Sequence, residues 1–281
     1  MIKYVNITGA LKKVSEANIS PTDRSFRYGD GCFETMKLVN GKVLLLDLHM
    51  KRLFASLEQL QFNLPCYFNY SFVQESILKL ADVNDLREGR MRLTISRGNG
   101  SLYELDDPQL NFVIEQYPIN KDYKILNAEG LQAIIYRDAV KPADRFSTIK
   151  SNNFLCYVMA AVSARKQKMD DAFLLNQDGR LTDSTIANVF IIKDGYIKTP
   201  ALTEGCIAGV MRQYLLTKLR HDDFPLEEGK ITVDDILNAS EVFLTNAIRG
   251  IQWVKQLEQS QYTNDLSTTL HQKYIVPLFN S

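Results

Sequence analysis

The sequence has no surplus of charge: lysine plus arginine and aspartate plus glutamate each number 33 in 281 residues. A balanced chain offers no whole-surface footprint for nucleic acid or an anionic membrane, though it leaves room for a local cationic pocket around an anionic ligand. Long apolar runs are missing too; none approaches the roughly 18 consecutive apolar residues of a membrane helix. The opening MIKYVNITGA lacks an apolar core flanked by a cleavage site. A cytoplasmic protein with neither nucleic-acid nor membrane partners is therefore the expectation. Cys32, Cys66, Cys156 and Cys206 form no CxxC pair and no histidine stands at ligand spacing, which argues against a disulfide framework and against any metal site. Histidine is scarce, and His49, His221 and His271 sit in no nucleophile motif, so surface or packing roles are expected of them. Repeats and low-complexity tracts are absent, which removes solenoid architectures.

What is present is an ordinary globular composition, 45% hydrophobic, enough for one large core or two modest ones. Strand-like runs at 43–46, 91–96 and 112–117 alternate with helical stretches such as 48–60, where Leu53, Leu57 and Leu60 share a face. YPINKDY at 117–123 interrupts a strand with proline and turns polar, so a boundary is expected there, with a small N-terminal α+β domain over 1–118 and a larger domain over 119–281. In the second part strands are expected at 131–136, 172–175, 188–193 and 241–245. Helices are expected over 152–168, from Gly209, and from Leu266 onward.

Six segments, in order, carry a resemblance: RSFRYGDGCFETMKLVNGKV (24–43), LHMKRLFASLEQL (48–60), IKSNNFL (149–155), DDAFLLNQDGRLTDSTIANVFIIKDG (170–195), GVMRQ (209–213) and EVFLTNA (241–247). Together they resemble the class IV aminotransferase family, the fold-type IV pyridoxal-phosphate enzymes. That resemblance implies a two-domain α+β fold with the cofactor, pyridoxal 5'-phosphate, at the domain interface. It also implies a homodimer, with active sites completed by a neighbouring subunit's loop. Lys150 falls where the family has the lysine that carries the cofactor as a Schiff base and then moves the substrate's proton. Arg52, in HMKRL, falls where an arginine grips the phosphate. Gly209 opens a helical stretch, so the amides of Val210 and Met211 and the helix dipole suit the same anion. Thr245, Asn246 and Ala247 are implied as further donors to it.

Asp183 departs from the family, which places glutamate five residues before the asparagine matching Asn188. The implied role is to keep the pyridine nitrogen protonated, on a shorter stem; the other reading is a turn residue in DGRLTDST. For the reaction, Thr35 stands where branched-chain aminotransferases usually have glycine and the family's lyases tend to have threonine. GVMRQ and TNA are also closer to the lyase forms. The loop SRGNGSLYE from Ser96 lacks the arginine and histidine pair of D-amino-acid aminotransferases. These features favour 4-amino-4-deoxychorismate lyase, with a small carboxylate-bearing amine as substrate and Tyr28, Thr35, Arg92 and Arg97 as candidate substrate residues. A branched-chain or D-amino-acid transaminase, and a cofactor-binding protein without turnover, remain open.

Overall fold

A computed structural model describes residues 2–103 and 110–280, so Glu104, the last residue of the SRGNGSLYE loop, lies outside the described residues. The fold is α+β, and the chain divides into two compact units: 1–120 with 150–154, and 121–149 with 155–281. Lys150, expected in the second domain, is packed with the first. The cause is backbone pairing: Ser151 bridges to Cys32, and the Phe33 N–H donates to the Lys150 carbonyl at 2.9 Å.

The first unit contains β1 (Tyr4–Ile7), β2 (Ala10–Lys13), α1 (Arg24–Tyr28), β3 (Gly31–Val39), β4 (Lys42–Val43), α2 (Leu46–Gln59), α3 (Tyr70–Val83), β5 (Gly89–Ser96) and β6 (Asn111–Tyr117). Its sheet runs β2-β1-β6-β5-β3-β4. The run expected as a strand at 43–46 is one only at Val43. Leu45 takes a left-handed backbone, φ 55°, and swings the chain straight into α2. In α2, Leu46, His49, Met50, Leu53 and Leu57 bury one stripe, the i, i+3, i+4 spacing that lays a helix on a sheet. Because alternate strand residues point to opposite faces, Cys32, Glu34 and Met36 of β3 share the α2 side. Phe33, Thr35 and Lys37 occupy the other. There, in register across β5, stand Thr94, Arg92 and Arg90.

The second unit contains β7 (Leu131–Tyr136), α4 (Leu155–Lys166), β8 (Asp171–Leu175), β9 (Leu181–Ser184), β10 (Asn188–Lys193), β11 (Tyr196–Pro200), α5 (Val210–His221), β12 (Leu226–Gly229), α6 (Val233–Leu237), β13 (Glu241–Asn246), β14 (Gly250–Leu257), β15 (Ser260–Gln261), α7 (Asp265–Leu270) and α8 (Val276–Phe279). The strands β10-β13-β14-β7-β8-β9 form a sheet that closes on itself, because β9 pairs with both β8 and β10. Closure removes the free edges of those strands. Ile135, Phe173, Val189, Ile191, Val242, Leu244 and Val254 belong to one buried cluster, with Ile231 and Ile236 completing it. The residues that close the ring are Asn188 and Asp183. Among the described residues no helix is long and apolar enough to cross a membrane, and all four cysteines are free.

Candidate active site

In the first unit, the segment carrying Lys150 is held against the start of β3. Asn152 donates its backbone N–H to the Gly31 carbonyl at 3.0 Å, and its side-chain amide to the Ile95 carbonyl and to Ser25 Oγ, both at 2.8 Å. Only glycine fits at position 31: a Cβ there would lie 2.0 Å from the Ile95 carbonyl oxygen and 2.6 Å from Asn152 Nδ2. The anchored segment sets Lys150 Nζ 4.5 Å from the Phe33 ring centroid and 5.4 Å from that of Phe154, two rings that meet edge to face. The Arg92 guanidinium lies over the same Phe33 ring at 3.8 Å, donates to Thr94 Oγ1 at 3.2 Å, and pairs across the strands with Thr35. One aromatic ring thus holds the Lys150 amine and the Arg92 guanidinium together. Burial pushes Arg92 below its ordinary value, while Glu115, its cross-strand neighbour on β6, works the other way.

Arg52 is oriented by Glu34, a residue the sequence reading passed over. The guanidinium forks onto the carboxylate, Nε to Oε1 at 2.7 Å and Nη2 to Oε2 at 2.6 Å, and His49 Nδ1 lies 2.6 Å from Oε2. Burial pushes Glu34 upward, but the Arg52 charge and the His49 hydrogen bond outweigh it and hold the group at about 2. Burial likewise pushes His49 below its usual value; Glu34 opposes that, while Arg52 and Lys150 reinforce it. His49 is therefore a buried neutral ring inside a polar cluster. Its sequence signal is slight: it stands three residues before Arg52, on the same helix face.

Two further expected substrate residues also belong to the first unit. Arg97 bonds Asp30 through Nε at 3.1 Å and the Gln61 and Leu60 carbonyls through Nη1 and Nη2 at 2.9 and 2.6 Å. A guanidinium so committed clamps the end of α2 to Asp30, which Arg24 also binds, at 2.7 Å. Tyr28 ends α1, 43% exposed, with the Arg24 guanidinium 5.6 Å from its ring centroid.

In the second unit the pairing register draws up a row across three strands: Asp183 opposite Asn188, and Asn188 opposite Thr245. This explains the five-residue spacing noticed in the sequence, since strand, turn and returning strand bring the two side chains together. Asp183 is 2% exposed and accepts four hydrogen bonds. Asn188 Nδ2 donates to Oδ1 at 2.9 Å; Lys141 Nζ, the Tyr157 hydroxyl and the Ile207 N–H donate to Oδ2 at 2.9, 2.8 and 3.0 Å. Nothing in the sequence pattern marks Lys141 or Tyr157 for this position. Burial, followed by the Asp183 charge, pushes the Tyr157 hydroxyl well above its ordinary value.

Gly209 precedes the first turn of α5 without a side-chain cap, and Lys218, Arg220 and His221 occupy its last turn. The amides of Val210 and Met211 thus sit at the positive end of the helix dipole. Thr245 is 2% exposed and its Oγ1 finds no hydrogen-bond partner among the described residues. A buried hydroxyl without a partner is costly unless a ligand supplies one. Asn246 Oδ1 accepts the N–H groups of Ile248 and Arg249, closing the turn that contains Ala247. Uncapped amides and a buried donor suit an oxyanion such as phosphate.

The family model for amino-transferase class IV matches residues 31–257. A D-alanine aminotransferase from Bacillus licheniformis is 30% identical over 86% of this chain and 84% of its own. An aminodeoxychorismate lyase from Bacillus subtilis is 29% identical over 92% of this chain and 87% of its own. A branched-chain aminotransferase from Thermoproteus uzoniensis superposes with a TM-score of 0.89 at 22% identity, covering 99% of this chain and 95% of that one. That likeness establishes the fold.

Proposed function

Because the chain belongs to the class IV amino-transferase family, we infer that it is a 4-amino-4-deoxychorismate lyase, releasing 4-aminobenzoate and pyruvate. It is a pyridoxal 5'-phosphate-dependent enzyme. When bound, the cofactor supplies an electron sink for charge developing on the carbon that bears the substrate's amine. The remaining work belongs to this chain's side chains. The observation that carries the lyase reading is the Phe33 ring shared by Lys150 and Arg92, with Thr35 beside Arg92 and Arg90 on the same sheet face. The substrate is a ring with two carboxylates, and this face offers an aromatic surface, guanidinium groups and a hydroxyl.

In this reading Lys150 would hold the cofactor through Nζ and would serve as the base that takes the proton from the amine-bearing carbon. Phe33 and Phe154 keep water from the Nζ environment. Arg92 and Thr35 orient a carboxylate so that the enolpyruvyl group leaves as pyruvate and the product ring becomes aromatic. Thr245 and the Gly209, Val210 and Met211 backbone, with the turn at Asn246 and Ala247, would hold the phosphate, Arg52 would add its charge to it, and Asp183 would keep the ring nitrogen protonated. The second reading is a D-amino-acid transaminase, favoured by the 30% identity to the Bacillus licheniformis enzyme.

One panel separates the two. Incubation with 4-amino-4-deoxychorismate is expected to yield 4-aminobenzoate and pyruvate in equal amounts, and Lys150→Ala to abolish both. An amino donor plus a 2-oxo acid giving a new amino acid, with no 4-aminobenzoate from the first substrate, would establish the transaminase instead. We also propose a homodimer, on the strength of an apolar stripe on α4. Tyr157, Ala160 and Ala164 of that helix are buried, yet Leu155, Val158, Met159 and Val162, at 67, 50, 43 and 39% exposure, line another face. Charged outer faces are the rule for surface helices.

A further inference from the structure

Lys141 is 6% exposed, and its ammonium donates to the Asp183 carboxylate, to the Ser147 carbonyl at 3.0 Å and to the Gly205 carbonyl. An ammonium has three donors and no acceptor, so all of its capacity is spent and its charge is locked beside Asp183. Among the described residues Oδ2 accepts three hydrogen bonds and Oδ1 one, from Asn188, so the spare lone pair is on Oδ1. We propose that Lys141 is a positioning residue that sets the proton affinity of the cofactor's ring nitrogen, by making Asp183 half of a neutral ion pair that offers one acceptor site and no net charge. The proposal rests on the reading of Asp183 as the ring-nitrogen partner.

The physical step is simple. In a poorly solvated site a lone carboxylate strongly favours a proton on a neighbouring base, whereas a carboxylate with a fixed ammonium at 2.9 Å acts only as a dipole. The other groups that face Asp183 do not supply compensating charge. Tyr157 on α4 and Cys206 before α5 are both held in their neutral forms, the thiol pushed up to about 12 by burial first and then by Asp183. Asn188 is uncharged, and Arg212, which acts on Cys206, is itself bound to Glu228 at 2.7 Å and to the Pro200 carbonyl at 2.8 Å. Lys141 is thus the cation bonded to Asp183, and removing its charge should make the ring nitrogen more basic.

The test uses holoenzyme reconstituted with cofactor carrying ¹⁵N at the ring nitrogen, whose resonance reports protonation independently of turnover. With Lys141→Gln the pH midpoint of that resonance is expected to rise by about one unit or more, the usual scale for loss of a nearby charge. Lys141→Arg should stay at the wild-type midpoint, and so should Tyr157→Phe, which removes a neutral donor from the same oxygen. Lys141→Met provides a second neutral variant if the glutamine protein does not fold. An unmoved midpoint in the neutral variants, while Asp183→Asn shifts it, would overturn the role of Lys141 alone. A midpoint unmoved by Asp183→Asn as well would overturn the ring-partner reading beneath it. A shift in Tyr157→Phe as large as that of Lys141→Gln would make hydrogen-bond number the cause and would also overturn the proposal.

Discussion

At the scale of single residues, the first unit's polar cluster makes two roles of Arg52 separable. Its fork is matched to Glu34, and under the proposed function its charge also serves the cofactor phosphate. Arg52→Ala is expected to weaken cofactor binding by about 1.5 to 3 kcal/mol, the scale of a hydrogen bond to a charged group. It also strands a buried carboxylate, so the apoprotein should melt lower. Arg52→Lys retains the charge but cannot match the fork; a titration of apoprotein with cofactor should place it between wild type and alanine. The same cluster governs acid stability. Glu34 and His49 both have values depressed by folding, so each contributes stability above its unfolded value that is lost as pH falls through its folded one. Loss should begin below the histidine's ordinary 6.5 and continue from about 4.5 down to about 2 as Glu34 protonates. Thermal melts across this range are the measurement. His49→Gln should remove the upper part of the loss and leave the lower part; a melting profile unchanged in shape would refute the assignment.

At the scale of elements, the clearest dependence is between the start of α5 and the row across the sheet. Gly209 has φ −67°, an ordinary backbone angle, so conformational freedom is not why glycine stands there. Space is: a Cβ would lie 1.8 Å from Asn188 Oδ1. Gly209→Ala should therefore expel the Asn188 side chain, costing its hydrogen bonds to Asp183 and to the Ile207 carbonyl at 2.8 Å, and weaken both cofactor retention and thermal stability. Asn188→Ala removes the same bonds, so the double variant should be little worse than either single one; additive losses would show the two residues to be independent. The sequence made some of this legible. The strands at 131–136 and 188–193 and the strand start at Glu241 stand where the alternation and β-branched runs put them, because each is apolar and bounded by turns. Others were hidden by mixed polarity. β3 carries Glu34, Thr35 and Lys37 among its apolar residues, and for Glu34 it is Arg52 and His49 on α2 that make a buried carboxylate tolerable. α4 begins at Leu155, not 152, because Asn152 is bonded to β3 and β5 residues. In the site, no motif role points to Glu34, although it lies inside the 24–43 segment, and none points to Lys141 or Tyr157. The role of the last two depends on where the loop after β7 and the first turns of α4 are folded, which no local pattern encodes.

For the whole molecule, the two sides of α4 make different demands. One side seats Tyr157, Ala160 and Ala164 in the second unit, and through the Tyr157 hydroxyl it reaches Asp183. The other presents Leu155, Val158, Met159 and Val162 at i, i+3, i+4 and i+7, a continuous apolar ridge of the kind one helix offers another. Leaving that ridge in water forfeits roughly 25 cal/mol for each Å² of apolar surface that a partner would cover. A two-fold dimer covers the same patch on both copies at once, and closed two-fold dimers are the commonest oligomers. Val158→Glu with Met159→Lys places charges in the middle of the ridge without touching the buried side of the helix. Sedimentation is expected to show wild type at twice the mass of one chain and the double variant at the mass of one chain, with its far-ultraviolet circular dichroism retained. Because Tyr157 stands between the two altered positions and Cys156, loss of the partner should also loosen its hydrogen bond to Asp183, so turnover should fall along with the mass. A variant that sediments as a single chain and keeps full turnover would separate assembly from catalysis; a variant that still sediments as a dimer would move the interface to another face of the protein.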